Sequence, residues 1–146
     1  MNQILQNAKS FKTSIFAAII IFCLASCAQT AHFNASTVVP AAAGKVKIKK
    51  DKNKNYEVDI EVNDLAEPQK LTPPKETYVV WMYSEENQAK NLGQLKTSRG
   101  FISNSLKASF KTVTPIKPKR IFVTAEDNGT PDVPSSFVVL NTENFD

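Results

Sequence analysis

Thr77-Tyr78-Val79-Val80-Trp81-Met82-Tyr83 is the stretch that decides the fold. Its residues are almost all β-branched or aromatic, and apolar side chains fall on both faces of an extended chain. A strand with two apolar faces belongs in the middle of a sheet. Toward the N-terminus, Val46 and Ile48 alternate with Lys45, Lys47 and Lys49, and Tyr56, Val58, Ile60 and Val62 alternate with Glu57, Asp59 and Glu61. Asp51-Lys52-Asn53-Lys54-Asn55 supplies turn residues between the two runs, so the spacing predicts a hairpin with one face buried. Asn63-Asp64 and the prolines Pro68, Pro73 and Pro74 end that pattern, because proline cannot donate to a strand ladder.

Toward the C-terminus, residues 84–91 are polar and read as loop, with one helical turn open over Glu86 to Lys90. Leu92-Gly93-Gln94-Leu95 predicts a short strand and Ser98-Arg99-Gly100 a turn. Ser105-Leu106-Lys107-Ala108-Ser109-Phe110 alternates again, and Pro115 and Pro118 bracket a second break. Ile121-Phe122-Val123-Thr124-Ala125 reads as a buried strand, Asp127-Asn128-Gly129-Thr130-Pro131 as turn chemistry, and Phe137-Val138-Val139-Leu140 as a closing strand. No stretch offers three turns of helix periodicity. About seven short strands punctuated by Pro, Gly and Asn predict an all-β, antiparallel sandwich.

Before this domain, Lys9 and Lys12 precede an apolar run from Ile15 to Leu24, closed by Ala25, Ser26 and Cys27. That is the layout of a secretory signal segment. The run is shorter than the roughly 20 apolar residues a helix needs to cross a bilayer core. Leu24-Ala25-Ser26-Cys27 resembles the lipobox of bacterial lipoproteins, a resemblance that implies thioether lipidation of Cys27, cleavage before it and acylation of the new amino group. The alternative is an ordinary signal peptide cut near this point, with Cys27 a free thiol. The expected organisation is a lipoprotein signal peptide over 1–26, the lipidated Cys27 with a flexible tether over 27–44, and the β-sandwich over 45–146. Ala28 to Gly44 is small and polar without a period, and such a tether would reach about 20–25 Å. Val38, Val39 and the alanine run could instead add an edge strand.

The chain has 18 basic and 14 acidic residues, and Lys9 and Lys12 would leave with the signal, so the remainder is nearly balanced. That balance and export from the cytoplasm both argue against nucleic acid as a partner. Cys23 would be lost with the signal and Cys27 capped by lipid, so the fold is expected to rest on apolar packing and strand pairing rather than on a disulfide.

The order Gly44-Lys45-Val46-Lys47-Ile48, Tyr78-Val79-Val80-Trp81, Leu92-Gly93-Gln94-Leu95, Ile121-Phe122-Val123-Thr124-Ala125-Glu126, then Pro131, Pro134 and Phe137-Val138-Val139-Leu140, resembles the extracytoplasmic C-terminal domain of anti-sigma-K factors. The resemblance covers essentially the whole predicted domain and implies an immunoglobulin-like β-sandwich. The sequence departs from the family at Asp127-Asn128-Gly129, where paired glycines are usual. It also shows a lipoprotein signal where those proteins have a sigma-binding domain and a transmembrane helix. What the resemblance implies is therefore the sensor-side module alone.

Catalytic chemistry finds little to work with. His32 is the single histidine and falls in the expected tether. Ser84, Ser105 and Ser135 lack the context of an activated nucleophile, so the chain reads as a non-enzyme without cofactor. A metal-dependent enzyme is the remote alternative. Glu126, Asp127, Asn128 and Asp132 supply oxygens of the kind calcium takes, but their spacing is not that of an EF-hand, and Asp-Asn-Gly is first a turn. They are kept as a loop binding surface, with no metal assigned. Lys45, Lys47, Lys49, Lys50, Lys52 and Lys54 form a basic patch. It reads either as attraction to anionic headgroups or as an edge strand guarded by lysines, with Glu57, Asp59 and Glu61 able to neutralise several of them across the ladder. Trp81, Tyr78 and Tyr83 read as core rather than as an exposed recognition patch.

The expected function is a membrane-anchored lipoprotein whose sandwich serves as a protein-interaction or sensing module in the cell envelope. Binding would fall on the loops 68–76, 85–91 and 126–136 or on an unpaired edge strand, and the partners are the membrane, through lipid at Cys27, and an envelope protein. The alternative is a structural, self-associating envelope protein. Ala28 and Gln29 carry no acidic signal against sorting onward, which points to the outer membrane facing the periplasm if the cell has one.

Overall fold

A computed structural model describes residues 28–99 and 106–145. Leu24-Ala25-Ser26-Cys27, Gly100 and Ser105 lie outside the described residues. The chain forms β1 (Ala28–His32), β2 (Ala43–Lys50), β3 (Tyr56–Leu65), β4 (Thr77–Tyr83), β5 (Ala89–Gln94), β6 (Lys96–Arg99), β7 (Leu106–Thr114), β8 (Arg120–Glu126) and β9 (Val138–Asn141). A single 3₁₀ turn, Pro68–Lys70, interrupts them. No helix among the described residues is long and apolar enough to cross a membrane.

The strands form two antiparallel sheets, ordered β1-β2-β3-β7-β6 and β5-β4-β8-β9. Strands β2-β3-β7-β6 and β4-β8-β9 reproduce the A-B-E-D and C-F-G orders of an immunoglobulin-type sandwich, with β5 added beside C and β1 beside A. Alternation buries Val46, Ile48, Val58, Ile60 and Val62 from the first sheet against Tyr78, Val80, Met82, Ile121, Val123 and Ala125 from the second. β4 lies inside its sheet, as its two apolar faces require. Its outward face carries a separate cluster in which Val79, Trp81 and Phe122 are buried and Tyr83 and Ala89 pack alongside.

Two expectations need correction. Residues 28–44 are not a free tether. Ala28–His32 pairs with Lys45–Lys49 as an edge strand, Phe33 N–H donates to Gly44 O (3.0 Å), and Asn34 N–H donates across to Asn141 O (2.8 Å). Phe33, Val39 and Ala42 join the main core, and Ser36 Oγ accepts from Val39 N–H (2.9 Å). The composition hides this because an edge strand needs no apolar alternation and three scattered apolar residues have no period. The domain thus begins at or before Ala28, not at Lys45, and the edge strand falls at 28–32 rather than on Val38 and Val39. Residues 84–88 form the loop expected there, and the helical turn left open over 86–90 does not form. Ser84 N–H donates to Gln88 O (3.0 Å), Asn87 turns with φ 56°, and β5 starts at Ala89. Ser98 and Arg99, expected in a turn, belong to β6.

The sandwich has two unlike ends. Ala28 stands opposite Lys49, Tyr56 opposite Thr114 and Tyr83 opposite Arg120. One end therefore gathers the N-terminal end of β1 with the connections 51–55, 84–88 and 115–119. Thr77 pairs with Glu126 and Ala43 with Asn63, so the opposite end gathers the connections 34–42, 66–76 and 127–137.

Candidate interaction surface

The long connections at the second end are held by buried side chains. Near the end of β3 the register shifts between Val62 and Leu65, with Asp64 at φ 55°, and this bulge sends the chain across the end of the sandwich. Leu71 drops into the core, and the phenol of Tyr78 donates to Ala66 O (3.0 Å). Burial pushes the Tyr78 hydroxyl up to about 12. Glu76 N–H donates to Glu126 O (2.9 Å), which ties 66–76 to the following strand pair, and the Thr72-Pro73 peptide is cis.

The connection 127–137 folds over the outward face of β4 and β8. Trp81 Nε1–H donates to Thr124 Oγ1 (2.8 Å), and Thr124 in turn donates to the buried Glu126 carboxylate. Ser135 N–H donates to that carboxylate (2.9 Å), and Asn91 Nδ2 donates to Pro131 O (3.2 Å). Burying a carboxylate costs several kcal/mol unless its lone pairs are satisfied, and here hydroxyl and amide donors meet it. The loop packs against Gln94 at Gly129, where a Cβ would collide with the glutamine side chain. Trp81 is therefore core, as expected, but it is core beneath this loop rather than between the sheets.

Two hollows open at this end. A groove of about 540 Å³ is lined by Thr37, Val38, Pro40, Ala66, Leu71 and Phe137. A more polar hollow of about 380 Å³ is lined by Glu67, Gln69, Glu76, Thr97 and the edge of Tyr78. Val133 stands 75% exposed in the loop above the outward face, the most exposed large apolar side chain among the described residues. Carboxylates rim the end: Glu67 pairs with Lys70 (3.3 Å), Asp127 with Lys75 (2.9 Å), and Asp132 is exposed.

The residues singled out in the sequence separate accordingly. Of Glu126, Asp127, Asn128 and Asp132, the first is buried beneath the loop, the second is ion-paired, and Asn128 Oδ1 accepts from Thr130 N–H (3.0 Å) as a turn residue. Among the described residues no three His, Cys, Asp or Glu side chains gather as a metal-holding group. His32 lies exposed in β1 opposite Lys45, and Ser84 is buried in a turn where its Oγ accepts from Gln88 N–H (3.4 Å). Lys45 and Lys47 lie along β2 from the groove end, and Lys49, Lys50, Lys52 and Lys54 at its other end and in the turn; β2 is an interior strand, so they do not guard an edge. Lys45 meets Glu61 (3.0 Å), whereas Asp59, opposite Lys47, is taken by Lys111 (3.8 Å). Sequence reasoning missed the groove residues Val38, Leu71 and Phe137 as one surface. The signal for it was weak: single apolar residues beside prolines, far apart in the chain. Compared with protein-family models, curated proteins and solved structures, the chain finds no match in any of the three.

Proposed function

We propose that this is a bacterial lipoprotein, anchored through lipid on Cys27, whose immunoglobulin-like sandwich captures a protein partner of the cell envelope with the end that carries 34–42, 66–76 and 127–137. One observation supports the reading most directly. Ala28, the residue after Cys27, stands opposite Lys49 at one end of the sandwich, and the groove, the rim of carboxylates and Val133 belong to the other. A chain held at Cys27 presents the groove away from the membrane. The stand-off comes from the sandwich itself, since a strand of ten residues such as β3 spans roughly 33 Å. The resemblance to the anti-sigma-K module agrees with a sensing role, and loops carried on a rigid scaffold are the usual place for recognition.

The test is photo-cross-linking in intact cells from Val38 or Val133 at the groove end and from Asn53 at the anchor end, with Cys27→Ala as the unanchored control. One protein captured from Val38 and Val133 but not from Asn53, and lost with Cys27→Ala, is the expected result. Capture of bulk envelope proteins from all three positions would remove it. A second reading, self-association, draws on β1: its sequence Ala-Gln-Thr-Ala-His closes the sheet without a lysine or proline, the usual guards against edge pairing. Concentration-dependent oligomers broken by Thr30→Pro would favour it.

A further inference from the structure

We propose that the turn 51–55 and the adjoining residues of β2 form a second membrane contact, in which Lys49, Lys50, Lys52 and Lys54 seat the domain end-on upon anionic phospholipid headgroups. The proposal deepens the reading of Cys27 as the anchor. Ala28, the residue that follows Cys27 in the sequence, is paired opposite Lys49, so one peptide link separates an acyl-bearing Cys27 from the residue level with the start of the turn. The turn extends only a few residues beyond Lys49, which brings its lysines close to a surface that Cys27 enters, and charges act over roughly 8–10 Å at ordinary ionic strength.

The turn is built to point its cations outward. Asp51, its one carboxylate, is committed inside it: Oδ1 accepts from Asn53 N–H (2.7 Å) and Asn55 N–H (2.8 Å), while Asn55 Nδ2 donates to Oδ2 (3.3 Å). Lys54 sits at φ 68°, which completes the reversal. Among the described residues Lys49, Lys52 and Lys54 meet no carboxylate within ion-pair distance, and Lys50 lies over the Tyr56 ring at 5.5 Å while its side chain stays exposed. Across the same end one cation is neutralised and two are held by neutral groups. Lys117 pairs with Glu85 (3.8 Å), Lys119 Nζ donates to Asn87 Oδ1 (2.9 Å), and Arg120 covers Tyr83 (4.9 Å). Lys119 and Arg120 keep their charge, so this end as a whole is basic, and its densest group of cations, Lys49, Lys50, Lys52 and Lys54, lies on the side from which Ala28 departs, with Glu57 opposite Lys49 in the ladder. At the opposite end Glu67 and Asp127 are paired with Lys70 and Lys75, so that end offers an anionic surface little net attraction, and the lysine-bearing end is the one drawn to it.

The experiment uses the full chain purified from membranes and reconstituted into vesicles of phosphatidylcholine alone or of phosphatidylcholine and phosphatidylglycerol in equal parts. A donor fluorophore is placed on Asn53→Cys or on Asp132→Cys, and energy transfer to an acceptor-labelled lipid headgroup is read. Phosphatidylglycerol is expected to raise transfer from position 53 and not from position 132, and high salt is expected to abolish the difference. Neutralising a lysine near such a surface weakens the contact roughly fivefold, so Lys49→Gln/Lys52→Gln/Lys54→Gln should lower the seating equilibrium constant on the order of a hundredfold. The salt arm gives the same readout on the unaltered turn should that variant melt early. Equal transfer from position 53 in both vesicles at low salt overturns the proposal. Intact mass separates it from the anchor reading. A chain without lipid that still brings position 53 to phosphatidylglycerol alone refutes the anchor and upholds the lysine surface, whereas a lipidated chain indifferent to phosphatidylglycerol does the reverse.

Discussion

The two ends of the sandwich are both made of connections, yet they are held in opposite ways. At the end that carries the 51–55 turn, that turn is organised by one side chain, Asp51, acting over four residues, and Lys52, Asn53 and Lys54 stay exposed. At the groove end, 66–76 and 127–137 are held by groups brought from elsewhere in the chain: Leu71 and Tyr78 in the core, and Trp81, Thr124 and Glu126 beneath the loop. A short turn satisfies its backbone locally and leaves its charges for solvent or a surface. A long connection loses more chain entropy on ordering and is held by burying side chains at a distance. The groove end is consequently the one whose shape depends on the whole fold.

The largest test of that contrast is Trp81→Ala. Loss of a fully buried aromatic side chain should cost about 3–5 kcal/mol in chemical denaturation, and a variant as stable as the parent would mean the loop does not lean on Trp81. Tyr78 gives a pH signature. Its folded hydroxyl is raised from 10 to about 12, so the neutral phenol contributes stability that is fully present below pH about 10 and is lost as pH climbs through that interval toward 12. Roughly 2–3 kcal/mol should disappear there in the parent. Tyr78→Phe should lose about 1 kcal/mol at neutral pH with the bond to Ala66 O and then show a flatter alkaline limb. Parallel alkaline limbs would break the assignment.

Glu126→Ala removes the acceptor shared by Thr124 and Ser135, and should cost about 1–3 kcal/mol with faster amide exchange at Ser135 and Phe137. Unchanged exchange in 127–137 would show the loop is held by packing alone. The smallest effect is expected at Asp51→Ala, about 1 kcal/mol, confined in amide exchange to Asn53, Asn55 and their neighbours. A loss that spread to the groove end would erase the distinction between the two ends.

How far each feature could be read depended on how local its cause was. The hairpin of β2 and β3, the central place of β4, the buried β8 and the turn at 51–55 were legible because alternation, two-faced apolarity and turn residues lie next to one another in the chain. The pairing of Ala28–His32 was not legible, since β1 owes its place to an exposed lysine-bearing neighbour and to Phe33 closing the far side of the sandwich. Glu126 looked like one of four loop residues offering oxygens, but Thr124 and Ser135 hold it buried beneath the loop.

By itself the sequence determined the antiparallel sandwich, the strand at its centre and the basic and acidic stretches, because side-chain period and turn chemistry act over two to five residues. Only the tertiary structure decided that β1 leaves no tether, that the lysines and the groove occupy opposite ends, and that Trp81 lies under a loop. Those facts depend on which distant strands pair and on which buried groups must find partners, and long-range closure is not written in any single stretch of chain.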